Sequence, residues 1–188
     1  LAKTADKLAA KVGHGDDAAH ALSILLRKIS GFSGLVHENM YHFAGWRFLS
    51  LGRAQERADG TLMLLQTFAD PEAAPGALEI AIEVGDSVMT HQRRYRFGPS
   101  RETVLDLLAL DGQNPRSVMY QIAQMRHHVG RLPQAGAAGR LSALERALLT
   151  LDTDLRVAGP ADLDRAALAD LRARLADVFD LISATFLR

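Results

Sequence analysis

Arg53, Glu56 and Arg57 are the residues in this chain whose types and spacing most invite a chemical reading. They stand in GWRFLSLGRAQERADGTLMLL, residues 45–65, which otherwise reads as one long apolar helix. Residues three and four apart on a helix share a face. Two guanidiniums beside a carboxylate can grip a carboxylate or phosphate group, with the glutamate orienting the arginines. Placed on a wheel at about 100° per residue, Phe43, Leu51, Ala54, Ala58, Leu62 and Leu65 lie on one arc. Trp46, Leu49, Gly60 and Leu64 lie on the opposite arc, and the three charges fall among them. A helix that is apolar nearly all round belongs in the middle of a fold. A desolvated charge there costs several kcal/mol unless it is paired. The expectation is therefore a buried polar cluster, with Phe48, Leu51, Leu62 and Leu65 in the core. Extended backward, the charged arc takes in Glu38, Asn39 and His42. The plainer alternative is a solvated pair worth a few tenths of a kcal/mol.

A second helix offers counter-charges. In LEIAIEVGDSVMTHQRRYRF, Glu79, Glu83, Asp86, Thr90 and Arg93 share one stripe, opposite Ile80, Val84, Val88 and Tyr95. Glu83 or Asp86 facing Arg53 and Arg57 would complete the cluster. Acids early and bases late also suit a solvated face aligned with the helix dipole. Gly45, Gly52 and Gly60 each cost a helix about 1 kcal/mol against alanine, for which close helix approach is the usual compensation.

Other chemistries find less support. A di-iron bundle needs Glu-x-x-His pairs, and the sequence has none; Glu38 and His42 are four apart. No metal or cofactor is expected. His127 and His128 are adjacent, point in different directions on a helix, and are expected at the surface. There is no Walker-type phosphate loop and no G-x-S-x-G elbow. RRYR, residues 93–96, reads as a basic helix C-terminus rather than a phosphate grip.

The elements that must position these residues read as helices throughout. Residues 1–13 form one, ending at Gly13, and DDAAHALSILLRKIS forms the next, with GFSG as a break after it. A long helix follows over residues 35–69, and another over ALEIAIEVGDSVMTHQRRYRF. Ser100 caps a short helix through ETVLDLLAL. Asn114 is the expected cap of the helix beyond it, with Pro115 at its first position. Ser142 and Glu145 form a capping box, and a last helix closes the chain. The pattern predicts an all-α bundle of about seven or eight helices, with a long central buried one, as a single domain over residues 1–188.

Composition agrees with that class. Apolar residues make up 48% of the 188 and charged ones 23%, enough for a sizeable core. Lys plus Arg equals Asp plus Glu at 22 each, which argues against a general nucleic-acid binder. The absence of cysteine excludes disulfides and thiolate chemistry. No apolar run reaches membrane-spanning length. A cytoplasmic location is expected. The chain begins at Leu1 rather than Met, so it is read as a fragment that should expose apolar surface, with a homodimer as one expectation.

The segments GFSGLVHENM, GWRFLSLGRAQERADGTLMLL, EVGDSVMTHQRRYR and LLALDGQNPRSVMYQI together resemble the alpha-E domain family of bacteria. The resemblance covers residues 20–132 and, more loosely, the rest. It rests on Glu38, Asn39, Gly45, Trp46, Arg53, Glu56, Arg57, Asp86, Asn114, Pro115 and Arg116. Such proteins usually carry an upstream half with a related GRxxERA helix, so the resemblance implies the C-terminal fragment of a longer alpha-E or ATP-grasp fusion protein. It further implies circularly permuted ATP-grasp and transglutaminase-like partners, and hence a role in ATP-dependent peptide or amide ligation. Three readings follow: an accessory domain that holds a peptide or acidic group, a helical enzyme with Glu56 or Glu38 as general acid or base, and a purely structural domain.

Overall fold

In the computed structural model, which describes residues 3, 6, 16–133 and 139–186, the hydrophobic periodicity resolves into eight α-helices and no strand among those residues. They are α1 (Asp16–Asn39), α2 (Ala44–Phe68), α3 (Ala77–Val84), α4 (Val88–Arg94), α5 (Arg101–Leu105), α6 (Val118–Val129), α7 (Ala143–Val157) and α8 (Arg165–Phe186). A wider π turn, Asp106–Leu110, continues α5, and a 3-10 turn, Pro160–Asp162, precedes α8. Of the helix expected over residues 1–13, only Lys3 and Asp6 are among the described residues, and both are helical. Among the described residues no helix is long and apolar enough to cross a membrane.

The chain divides into two compact bodies, residues 1–46 and 47–188, with the boundary inside α2. In the first, α1 runs straight through Gly31 and Gly34, where GFSG had suggested a break. The helix stops instead at Asn39, whose Nδ2 donates to Leu35 O at 3.0 Å, serving a carbonyl in its last turn. The expected 35–69 helix is thus interrupted at residues 40–43. There the Tyr41 ring stacks on Phe43, and His42 stacks on Trp46 at 4.0 Å. Leu22, Leu26, Ile29, Phe32 and Leu35 are exposed along α1.

The second body is built on the arc read from the wheel. Leu51, Ala54, Ala58, Leu62 and Leu65 are the buried face of α2. Helix α8 runs antiparallel to α2. Phe48 meets Phe186 edge to face at 5.2 Å, and Gln55 Nε2 donates to Leu175 O at 3.5 Å. Asp59 receives Arg172 through two bonds, at 2.6 and 3.1 Å. At the far end Arg101 donates to Ala69 O at 2.8 Å and to Leu163 O at 2.5 Å, serving the C-terminus of α2 and the approach to α8 with one guanidinium. The most enclosed stretch is α5 with its π turn. Val104, Leu105, Leu107, Leu108 and Ala109 have no solvent exposure at all.

The expected single helix over residues 77–97 is two. Gly85 is buried so close to its neighbours that a Cβ there would sit 2.8 Å from Leu108 Cδ2 and 2.9 Å from Ala81 O. Asp86 then takes a left-handed conformation, φ 48°, and the chain turns. The cap of α6 also differs from expectation. Ser117, not Asn114, is its N-cap, with Oγ accepting from Tyr120 N at 3.0 Å. The capping box of α7 is as expected: Glu145 Oε2 accepts from Ser142 N at 2.7 Å, and Ser142 Oγ accepts from Glu145 N at 3.2 Å.

Candidate functional site

Asn114 is free of capping duty because it holds a loop. It is buried, and its Nδ2 donates to Leu107 O at 2.9 Å and to Ser87 Oγ at 3.2 Å, while its Oδ1 accepts from Arg116 N at 3.0 Å. Ser87 is itself buried, with its hydroxyl donating to Gly85 O at 2.9 Å. The 85–87 turn and the 111–117 loop are therefore locked together through side chains that water does not reach. Gln121 Nε2 adds a bond to Pro115 O at 2.5 Å. Thr61 Oγ1 ties α2 to the same loop by donating to Arg116 O at 3.1 Å.

This framework brings Arg116 to the lining of a cavity of about 400 Å³ that Arg57 also lines. Thr61, Leu64, Phe68 and Val84 supply much of the remaining wall. Arg116 Nη2 meets Asp86 Oδ2 at 2.6 Å, so the left-handed turn at Asp86 delivers the carboxylate that steadies this arginine. Arg57 has no such partner among the described residues. Its guanidinium is pushed below its usual range, first by partial burial and then by the positive charges of Arg116 and Arg53. Arg116 and Arg53 thus make the field at Arg57 positive.

The expected cluster is only partly assembled. Arg53, Glu56 and Arg57 are all exposed, which corrects the expectation of burial. Leu49 beside them is exposed and Leu64 only half-buried. The second arc of the α2 wheel thus forms a surface, apolar in places but not enclosed. Arg53 and Glu56 line an open groove with Phe48, Leu49 and Gly52, and Arg57 borders both this groove and the cavity. Asp86 pairs with Arg116 rather than with Arg53 or Arg57, and Glu83 is exposed with no ion pair among the described residues. Glu38 and Asn39 belong to the first body and are exposed. Glu79 is exposed as well. His127 is exposed as expected, but His128 is buried, because it lies on the face of α6 that carries Gln121 and Met125 inward. Sequence reasoning missed Thr61, Phe68 and Val84 as cavity walls. Their only signal was spacing: Arg57, Thr61, Leu64 and Phe68 recur every three or four residues. Among the described residues no three His, Asp or Glu gather as metal ligands.

Comparison with known proteins places these residues in context. The Alpha-E family model, described as a predicted alpha-helical domain with a conserved ER motif, matches residues 2–187. The chain holds two Glu-Arg pairs, Glu56–Arg57 beside the cavity and Glu145–Arg146 at the start of α7. Uncharacterized proteins of Mycobacterium tuberculosis (Rv2567, strain ATCC 25618 / H37Rv) and Mycobacterium bovis (Mb2597, strain ATCC BAA-935 / AF2122/97) are each 31% identical over 157 residues. Those matches cover 81% of this chain but 17% of the relatives, so the chain corresponds to a small part of much longer proteins. No solved structure matches it.

Proposed function

The chain belongs to the Alpha-E family, and from that premise we propose that it is an accessory domain that binds an anionic group carried on an apolar body. The single observation that carries this reading is the cavity between Arg57 and Arg116. One of its arginines is neutralised by Asp86 and the other is left in a positive field. Leu64, Phe68 and Val84 offer the ligand's body an apolar wall, and Thr61 adds a polar edge. A peptide ending in an apolar residue with a free carboxylate has this chemistry. Guanidinium-carboxylate pairing would supply the charge recognition and the apolar wall the rest.

The resemblance of the sequence to alpha-E domains supports placing this binding within an ATP-grasp-linked ligation or modification of peptides or amides, with the ATP-grasp protein performing the reaction. The exposed apolar stripe of α1 supports a domain that works docked on another chain. Glu56 and Glu38 are both exposed, so the burial on which a general acid or base reading relied is absent.

Titration with the tripeptide Ala-Ala-Leu and with its C-terminal amide tests the proposal. The free acid is expected to bind at least about tenfold more tightly than the amide, roughly 1.4 kcal/mol. Arg57→Gln is expected to remove that preference while leaving the unfolding midpoint unchanged. Equal binding of acid and amide, or no binding of either, overturns the reading.

A further inference from the structure

A second cavity, of about 470 Å³, opens between α6 and α7 and shares no residue with the first. Arg126, His127, Glu145 and Arg156 bring its polar groups, and Leu141 and Leu148 bring apolar wall. Its two arginines are held by one acid. Asp152 has a side chain that is 2% exposed, and its Oδ2 accepts from Arg126 Nη1 and, at 2.9 Å, from Arg156 Nε. The other carboxylate oxygen has no hydrogen-bond partner among the described residues. A buried carboxylate compensated only by these two guanidiniums holds both in place, since releasing either would strand its charge.

The arrangement leaves donors to spare. Each guanidinium uses one nitrogen on Asp152 and keeps the other two. Their side chains are 38% and 57% exposed, and both line the cavity. Glu145 brings a second carboxylate to the lining, with its Oε2 accepting from Ser142 N in the capping box. The surroundings add positive charge: burial first, then Arg131 and Arg47, push the His127 pKa down. A neutral His127 accepts at Nδ1 from Arg131 Nη1 at 3.0 Å, since arginine can only donate. Its proton is then on Nε2, a donor free for a ligand of the cavity that His127 lines.

We infer that this cavity is a second anion site, and that it takes a phosphate monoester with an apolar or aromatic organic group. Three donor groups, Arg126, Arg156 and His127, suit the three terminal oxygens of a phosphate ester better than the two of a carboxylate. Arg126, Arg156, Arg131 and Arg47 outnumber Asp152 and Glu145 around the cavity, which favours an anion, and the leucines receive the organic part. The inference is independent of the cavity at Arg57, because no side chain serves both.

The test is titration of the whole chain with phenyl phosphate, inorganic phosphate and benzoate, read by calorimetry and by the Arg and His side-chain NMR signals. Phenyl phosphate is expected to saturate and to shift the Arg126, Arg156 and His127 signals. Inorganic phosphate and benzoate should each bind about tenfold more weakly or worse, about 1.4 kcal/mol. Arg156→Lys keeps a cation for Asp152 but loses the guanidinium fork, and should weaken phenyl phosphate about tenfold. His127→Ala leaves both arginines on Asp152 and should weaken it severalfold even if the lysine variant proves unstable. Arg57→Gln should leave this binding unchanged. Benzoate shifting the Arg126, Arg156 and His127 signals as tightly as phenyl phosphate overturns the phosphate assignment. Absence of saturable shifts at these three residues, or full affinity in His127→Ala, overturns the site.

Discussion

His128 shows how one side chain connects packing to solution behaviour. It lies on the inward face of α6, and burial, followed by the charges of His127, Arg47 and Arg131, holds its pKa down at about 4. In the unfolded chain a histidine titrates at about 6.5. Between those values the unfolded state binds a proton that the folded state refuses, so the folded state loses stability as pH falls from about 6.5 to about 4. Above that window the contribution is fully present. Urea unfolding of the native chain should therefore lose about 1–3 kcal/mol more than that of His128→Gln between pH 7 and pH 4.5. Parallel pH profiles for the two proteins would show that the ring titrates normally in the fold. Adjacency suggested that His127 and His128 point differently, and they do. Which of them faces inward depended on the packing of α6, which spacing alone does not supply. The same holds for Arg53, Glu56 and Arg57: their shared face was legible, its exposure was not, because apolar neighbours on a wheel do not reveal whether another helix covers them.

At the scale of elements, the sequence was most readable where one short motif decides the outcome by itself. Ser142 with Glu145 and Ser100 with Thr103 both cap helices where the sequence placed starts, because each satisfies orphan amides locally. The buried face of α2, from Leu51 to Leu65, followed from periodicity for the same reason. Where distant contacts decide, the reading failed. Gly31 and Gly34 looked like a break and are helical, while Gly85 looked helical and precedes the turn, because Leu108 of the π turn presses against it. Asn114 had every local feature of a cap and instead spends its amide on Ser87 and Leu107. The Gly85 contact gives a direct test. Gly85→Ala should destabilise the chain by about 1–3 kcal/mol, since the added methyl meets Leu108 and a backbone oxygen. Trimming the neighbour in Gly85→Ala/Leu108→Ala should cost less than the sum of the two single changes. Strict additivity in chemical denaturation would show that the two residues are not in contact.

For the molecule as a whole, the division at residues 46 and 47 has a measurable meaning. The core from Leu51 to Ile182 lies wholly in the second body. Residues 47–188 produced alone should keep a single cooperative thermal transition, with a midpoint within about 5 °C of the parent. A broad, non-cooperative melt would mean that the core depends on residues 1–46. The pairing of α2 with α8 has a consequence of another kind. Asp59 and Arg172 stand 113 positions apart in sequence, and Phe48 meets Phe186 near the very end of the described chain. A ribosome releases α2 well before α8. Until α8 emerges, then, the side of α2 that carries Phe48 and Asp59 waits for its partner. Contacts of such long range fold slowly and leave sticky intermediates in the interval. That waiting face is the kind of surface chaperones shield, and shielding it should raise the yield of folded chain.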